Sequence, residues 1–261
     1  MNILRTLSIL MLLILTACQS RNKEIGLEEE GLMVTDISGA SVWLKAPAER
    51  VVCLFDPALD AIYMLQKEDK LVGILNNVYL DEQLYPYYAA MDPRIAAKEI
   101  PIVGSNKEAH MERIIALNPD LVIIQGSQEG SVAMLREMGI PVYCVSGQQT
   151  EEVFKEMSDI ATLLGAAERG AELLRLTHAG FDSLAVQSER LQHKKTAYLA
   201  WAYGRIFSTT GTNSIMHTCL ERAGVINVCQ TPLDQANINA ETLIAWDPEL
   251  ILLWNDSPEL F

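Results

Sequence analysis

One passage of the sequence occurs twice, as ERIIALNPDLVII at residues 112–124 and as ETLIAWDPELILL at residues 241–253. Each copy carries apolar residues at helical spacing, then a proline and an acid, then a run of branched apolar residues. The proline is expected to end a short helix, and the apolar run is typical of a buried parallel strand. The repeat predicts two similar α/β lobes with a cleft between them. The alternative is a common α/β connection that arose twice by chance.

The N-terminus predicts export and lipid attachment. Arg5 precedes an apolar stretch, Leu7 to Leu15, that is too short to span a bilayer comfortably. The following Leu-Thr-Ala-Cys resembles the lipobox of bacterial lipoproteins, which implies a signal peptide over 1–17 and acylation of Cys18. Residues 18–32 are polar and acidic, as in a flexible tether. We therefore expect an extracytoplasmic, lipid-anchored protein, the alternative being an ordinary signal peptide with a chance cysteine.

The amino-acid composition limits which classes of partner and cofactor the protein is expected to bind. The net charge of −14 makes nucleic acid a poor partner. The four histidines are scattered, and no Cys/His spacing typical of a metal site occurs, so no metal ligands and no cofactor are predicted. Cys53 and Cys144 lie in apolar, strand-like runs and are expected to be buried free thiols. A disulfide in either pair is open in an oxidising compartment, with Cys219–Cys229 the better candidate.

The order of patterns divides the mature chain into three parts. Strands alternate with helices over residues 33–149, which predicts an N-terminal α/β lobe with a mostly parallel sheet. Residues 150–193 have a helical pattern with a break near Gly165, and they are expected to link the lobes. Residues 194–261 form the C-terminal α/β lobe, which ends just after the second copy of the repeat. This lobe is expected to be incomplete, with a sheet edge and apolar surface exposed.

The succession of motifs resembles a known family. The lipobox and tether are followed in order by VTDISGASVWLKAPAERVVCLFDPALDAIYML, DKLVGI, IPIVGS, the first repeat copy, a long helical stretch and the second copy. Together they are similar to the substrate-binding proteins of bacterial ABC importers for iron–siderophores, haem, cobalamin and metal oxyanions. The resemblance implies two Rossmann-like lobes joined by a single long helix, the class III periplasmic-binding-protein fold. It also implies a monomer without catalytic residues that hands a metal chelate or metal oxyanion to a permease of the iron/cobalamin type and its ATPase.

The resemblance also implies roles for particular residues. In that family an acid on each lobe meets arginines of the permease, and Glu112 and Glu241 occupy those positions at the start of the repeated helix. An acid there is favoured by the helix dipole and is exposed to a partner, although it could simply cap its helix.

Ligand-binding candidates follow from their places after strands, where open α/β sheets bind ligands. Aromatic faces and the planar guanidinium of arginine suit an anionic chelate or oxyanion. The stronger candidates are Asp56, Tyr79, Trp201, Tyr203 and Arg205; the positions Pro57, Ser127, Gln128, Ser146 and Gly147 also follow strands. Trp201 could instead belong to the core, Arg205 could form a surface ion pair, and Tyr85, Tyr87 and Tyr88 are expected to pack rather than bind.

Two other classes of function remain open. A tethered adaptor or sensor with the same fold would have the same sequence features. An extracytoplasmic α/β hydrolase is less favoured, because the sequence contains no GxSxG nucleophile elbow, P-loop or GxGxxG after a strand.

Overall fold

The computed structural model describes residues 31–201 and 207–254. The predicted signal peptide, Cys18, Tyr203 and Arg205 lie outside the described residues. Within those two ranges, no helix combines the length and the apolar character needed to cross a bilayer.

An antiparallel hairpin opens the described chain, as the sequence predicts. Its strands are β1 (Leu32–Thr35) and β2 (Ser41–Leu44), and Gly39 in the turn has a φ of +80°. Alternate side chains of both strands are buried, namely those of Val34, Val42 and Leu44. The hairpin therefore covers one flank of the first lobe with its apolar face.

The first lobe contains a five-stranded parallel sheet in the order β5–β4–β3–β6–β7. All side chains of β3 and β7 are buried, as expected for strands covered on both faces. The strands are β3 (Val51–Leu54), β4 (Leu71–Leu75), β5 (Ile102–Gly104), β6 (Leu121–Gln125) and β7 (Val142–Val145).

Six helices and one 3₁₀ turn (Glu68–Lys70) connect these strands. Tyr88, at 1 % exposure, is buried and donates a hydrogen bond to Asp60, so the prediction that it packs is confirmed. The helices are α1 (Asp56–Met64), α2 (Asn77–Leu80), α3 (Leu84–Met91), α4 (Pro93–Ala96), α5 (Met111–Ala116) and α6 (Glu129–Glu137).

The linking region consists of two helices, α7 (Thr150–Leu163) and α8 (Ala167–Glu189). They are separated at Gly165, whose φ of +65° is a left-handed conformation that ends α7, so the predicted break is confirmed. α7 packs on α1 and on the first hairpin, and α8 leads to the second sheet. The single long connection predicted from the family is therefore α8 alone, while α7 belongs to the first lobe.

The second sheet is mixed. Its first strand, β8 (Thr196–Ala200), pairs in parallel with β10 (Ile226–Asn227) and β12 (Leu250–Leu253). The strands β9 (Ser208–Thr210) and β11 (Gln235–Asn237) pair antiparallel with each other, and β9 makes one antiparallel pairing with β8. The helices of this lobe are α9 (Ile215–Arg222) and α10 (Ala240–Trp246).

The two copies of the repeat occupy equivalent places in the two sheets. β6 lies beside β3, the first sheet strand of its lobe, and β12 lies beside β8. Asn118 and Asp247, at matching positions, both adopt left-handed conformations before the proline. The acid after that proline also has one role in both copies: Asp120 accepts from the Arg50 amide, and Glu249 from the Thr196 amide. The repeat is thus a structural unit of each lobe.

Apolar side chains of the second repeat are more exposed than those of the first. Within the described ranges β12 pairs with β8 alone, and Ile251 has 59 % of its surface exposed, whereas its counterpart Val122 is fully buried.

The four cysteines in the described ranges are free thiols, with Cys53, Cys144 and Cys229 buried. The prediction for Cys53 and Cys144 is confirmed. The Cys219–Cys229 pair, which the sequence left open, is not joined by a disulfide: Cys219 is exposed on α9, while Cys229 is buried beyond β10, where its amide donates to Asn227.

Candidate functional site

The first sheet has a topological switch point at β3. The chain winds from β3 through β4 to β5 on one side, then returns to β6 on the other side of β3. In open α/β sheets, ligands bind at the carboxyl ends of strands where the winding direction reverses. Polar residues follow four of these strands: Asp56 after β3, Asn76 after β4, Asn106 after β5 and Gln128 after β6.

Asp56 accepts hydrogen bonds from two of its neighbours in this region. One carboxylate oxygen, Oδ2, accepts hydrogen bonds from Asn106 Nδ2 at 2.8 Å and from Asn77 Nδ2 at 3.2 Å. Burial raises the pKa of the Asp56 carboxyl, those two hydrogen bonds lower it, and the negative charges of Asp60 and Asp81 raise it further, with a net increase. The loops after β4 and β5 are therefore tied to the end of β3.

Gln128 ties the loop after β5 to the end of β6. Its Nε2 donates to the carbonyl oxygens of Ser105, at 3.4 Å, and Asn106, at 3.2 Å. Only 8 % of the Gln128 surface is exposed. The sequence placed Gln128 among the candidates because it follows the first repeat, and the structure joins it to Asp56 through Asn106.

Four buried oxygen atoms of this group have no hydrogen-bond partner in the described part of the chain. They are Asp56 Oδ1, Asn76 Oδ1, Asn106 Oδ1 and Gln128 Oε1, and we call them the acceptor cluster. Buried polar atoms in native proteins are nearly always paired, so unpaired ones need an explanation, such as a ligand or water. Asn76 and Asn106 were not among the residues predicted from the sequence, although each lies within two residues of a strand end, a signal that could have identified them.

The loop after β7 is held by a second buried acid. Glu156 of α7, itself 7 % exposed, accepts from the amides of Ser146 at 2.6 Å and Gly147 at 3.2 Å. Gly147 has a φ of +63°, and a Cβ there would lie 3.2 Å from the Phe55 ring. Burial raises the pKa of the Glu156 carboxyl despite these hydrogen bonds. The Ser146 and Gly147 amides thus already have an internal partner.

The contacts of Tyr79 are with residues outside the acceptor cluster. Its hydroxyl donates to the carbonyl oxygen of Ile100 at 3.0 Å, a residue that precedes β5 rather than following it. Its ring lies beside that of Tyr85, and Lys98 Nζ lies 6.0 Å from its centre. The structure therefore does not bring Tyr79 together with Asp56.

Trp201 follows β8 in the second lobe, as the sequence predicts. Its ring centre is 5.9 Å from that of Trp254, and it packs partly against the core of this lobe. Its indole Nε1 is buried and has no acceptor among the residues described. A buried N–H without an acceptor is unfavourable, so Trp201 combines a core position with an available donor.

Glu112 and Glu241 lie in the first turns of α5 and α10, and both are exposed. Neither forms an ion pair within the described ranges. Each lobe thus presents one solvated acid at the same position of the repeated unit.

Comparison with known proteins identifies the family. The family described as periplasmic binding protein matches residues 51–258. The chain belongs to this family. Its relatives include YvrC of Bacillus subtilis, described as an ABC transporter substrate-binding lipoprotein, at 22 % identity over 84 % of this chain and 68 % of the relative. The vitamin B12-binding protein of Salmonella typhi is 26 % identical over 63 % of this chain, which spans 62 % of that protein.

Solved structures confirm the class III periplasmic-binding-protein fold. The molybdate-bound periplasmic binding protein MolA of Haemophilus influenzae gives a TM-score of 0.74 at 20 % identity, covering 87 % of this chain and 75 % of that one. The haem-binding protein HutB of Vibrio cholerae gives 0.66 at 18 % identity, covering 81 % and 78 %. These two proteins bind different ligands, so their structural similarity to this chain establishes its fold and not its ligand.

The described residues contain no group of three or more His, Cys, Asp or Glu side chains that could hold a metal ion. The acceptor cluster contains one carboxylate and three amide oxygens. These oxygens can accept hydrogen bonds.

Proposed function

We propose that the protein is the lipid-anchored, monomeric substrate-binding component of an ABC importer. It captures a metal-containing ligand (an iron–siderophore, haem, cobalamin or a metal oxyanion) between its lobes and delivers it to a membrane permease with its ATPase. Acylation of Cys18 would hold it at the membrane. The proposal is supported by family membership together with the switch-point site of the first lobe.

Delivery to a permease is supported by a pair of exposed acids, Glu112 and Glu241, at equivalent positions of the repeated unit. Because Glu112 and Glu241 form no internal ion pair in the described ranges, their charges are free for an external partner. Charges of this kind orient a docking partner and speed its encounter. One acid per lobe suits a permease with two related halves.

Ligand capture is tested first by thermal shift. The panel holds a ferric hydroxamate siderophore, haem, cyanocobalamin, molybdate and tungstate. A ligand that binds only the folded state stabilises it by about 2.7 kcal/mol at 100 times its Kd, which raises Tm by several degrees. A ligand that raises Tm supports the proposal, and a sharp transition without any shift argues against these ligands.

Delivery is tested by uptake of the ligand that the panel identifies. Glu112→Ala and Glu241→Ala should each reduce uptake while leaving ligand affinity unchanged. Glu129→Ala is the matched control, because Glu129 is also an exposed first-turn acid, on α6, but lies outside the repeated unit. Loss of ligand affinity in either repeat variant, or an equal uptake defect in the control, would reject the docking role.

A further inference from the structure

The unpaired atoms at the switch point are all of one kind. Asp56 Oδ1, Asn76 Oδ1, Asn106 Oδ1 and Gln128 Oε1 are acceptors, and each is buried without a donor in the part of the chain that the structure describes. They belong to residues that come shortly after four adjacent strands of one sheet. Three of the four side chains are connected, because Asn106 donates to Asp56 and Gln128 donates to the Asn106 carbonyl oxygen.

The donor and acceptor sides of two amides are fixed by their neighbours. Asn106 must turn its nitrogen toward the Asp56 carboxylate, at 2.8 Å, because an amide oxygen there would face another acceptor. Gln128 must likewise turn its nitrogen toward two backbone carbonyl oxygens. An amide flip at either position would replace a hydrogen bond with a repulsion. The remaining oxygens of both side chains are therefore committed acceptors.

Leaving these acceptors unpaired is unfavourable. A buried acceptor without a partner is less stable than one that has a hydrogen bond. Asp56, Asn76 and Asn106 are only half-buried as residues, and the terminal torsions of Asp and Asn are soft. A small rotation can thus bring their oxygens to an arriving donor.

We propose that the acceptor cluster recognises a ligand that carries N–H or O–H donors, primary amides in particular, and that it disfavours bare oxyanions. This inference rests on the function proposed above and narrows its ligand class. A tetrahedral metal oxyanion presents negatively charged acceptor oxygens. Placed at this surface, it would face the Asp56 carboxylate and amide oxygens rather than donors.

The substitution Asp56→Asn keeps the shape of the side chain and changes one hydrogen-bond acceptor of the cluster into a donor. In Asp56→Asn, the new amide oxygen can accept from Asn77 and Asn106, as Oδ2 does now. The new Nδ2 then takes the place of the unpaired Oδ1, so an acceptor becomes a donor and the negative charge is lost. Asp69→Asn is the matched control, because the Asp69 side chain is 69 % exposed in the 3₁₀ turn.

The experiment is calorimetric titration of the full chain and its variants with two probes. Cyanocobalamin supplies peripheral primary amides, and molybdate supplies only oxyanion oxygens. The wild type should bind cyanocobalamin and not molybdate. Asp56→Asn should weaken cyanocobalamin binding at least about tenfold, the loss expected for a hydrogen bond to a charged group, and should gain affinity for molybdate. The control should match the wild type.

A second variant, Asn76→Ala, tests the inference independently in case Asp56→Asn does not fold. Asn76 makes no side-chain hydrogen bond with any described residue, so Asn76→Ala removes one amide of the cluster without breaking a side-chain hydrogen bond of the fold. It should weaken cyanocobalamin binding roughly threefold to tenfold, in line with one neutral hydrogen bond.

Three results would overturn the inference: wild-type binding of molybdate in preference to cyanocobalamin, binding of neither probe, or affinities that both variants leave unchanged. None of them would by itself reject the proposed function. That function is judged separately, by a thermal shift with any ligand of the panel and by the uptake defect of the Glu112 and Glu241 variants.

Discussion

At the scale of single residues, the site depends on backbone conformations that few side chains tolerate. Gly104 ends β5 with a φ of +154°, and its carbonyl oxygen accepts from the Asn76 amide at 2.8 Å. A Cβ at this position would lie 2.4 Å from the carbonyl oxygen of Glu108. Only glycine lets the chain turn here from the sheet into the loop that carries Asn106.

We expect Gly104→Ala to lower the free energy of unfolding by roughly 2–4 kcal/mol, because the new methyl group meets backbone that cannot move aside. Urea unfolding measures the change. Gly130→Ala is the matched control: Gly130 lies in α6, and nothing lies within 4 Å of its Cβ position. That variant should instead gain about 0.5–1 kcal/mol from helix propensity. Equal midpoints for both variants would contradict the role of Gly104.

At the scale of elements, the opening hairpin is fixed to the first lobe by one carboxylate. Asp36 has a fully buried side chain that pairs with Arg136 of α6 at 2.6 Å and accepts from the Cys144 amide of β7 at 3.2 Å. Burial alone would raise the pKa of Asp36, but hydrogen bonds from Ser38, Cys144 and Ala40 outweigh it and lower the pKa. Three elements thus meet at this carboxylate.

Asp36→Asn should destabilise the protein by roughly 1.5–3 kcal/mol at neutral pH, because the hydrogen bonds from Ser38, Ala40 and Cys144 lose their charged acceptor. The lowered pKa fixes the sign of the pH dependence. The stabilisation is present above the unfolded-state pKa of Asp, about 3.9, and is lost as the pH falls through the lower folded-state pKa. Urea unfolding at pH 7 and at successively lower pH measures both effects.

The exposed Asp69→Asn serves as the control for this variant, and it should follow the wild type at every pH. The difference between wild type and Asp36→Asn should shrink as the solution is acidified below pH 4. A difference that stays constant with pH would mean that the charge of Asp36 is not what stabilises the hairpin.

The elements themselves were largely predictable, whereas the site was only partly so. The strands of the first lobe follow from unbroken apolar runs, and the repeated unit follows from its proline and acid. Asp56 and Gln128 could be chosen because they follow predicted strands. Their connection through Asn106 could not, because it depends on a crossover that brings a loop 50 residues away in sequence to the end of β3. Tyr79 follows a strand as well, yet a short helix turns it toward Ile100.

At the scale of the whole molecule, the two lobes differ in how much apolar surface they bury. The first lobe has a continuous core on both faces of its sheet, including the fully buried Leu54, Ile74 and Ile123. In the described part of the second lobe, the core cluster centres on Ala197, Leu199 and Leu220, and β12 is largely exposed. Because buried apolar area is the main source of stability, the second lobe should be the weaker one.

Hydrogen exchange followed by mass spectrometry tests this asymmetry. Amides of β8 and β12 should exchange faster than those of β3 and β6, because local opening of the second lobe exposes less apolar surface. Leu220→Ala removes a side chain that is 5 % exposed, and it should cost the second lobe roughly 2–5 kcal/mol. Exchange in β8 should then accelerate while β3 keeps its protection.

Leu135→Ala is the matched control in the first lobe, since Leu135 is fully buried on α6. If the lobes open independently, this variant should accelerate exchange in β6 and β7 and leave β8 at its wild-type rate. Equal acceleration of both sheets by Leu220→Ala would show instead that they unfold as one cooperative unit through α8. If the protein binds its ligand between the lobes, as proposed above, that ligand should slow exchange in the less stable second lobe most, and therefore in β8 more than in β3.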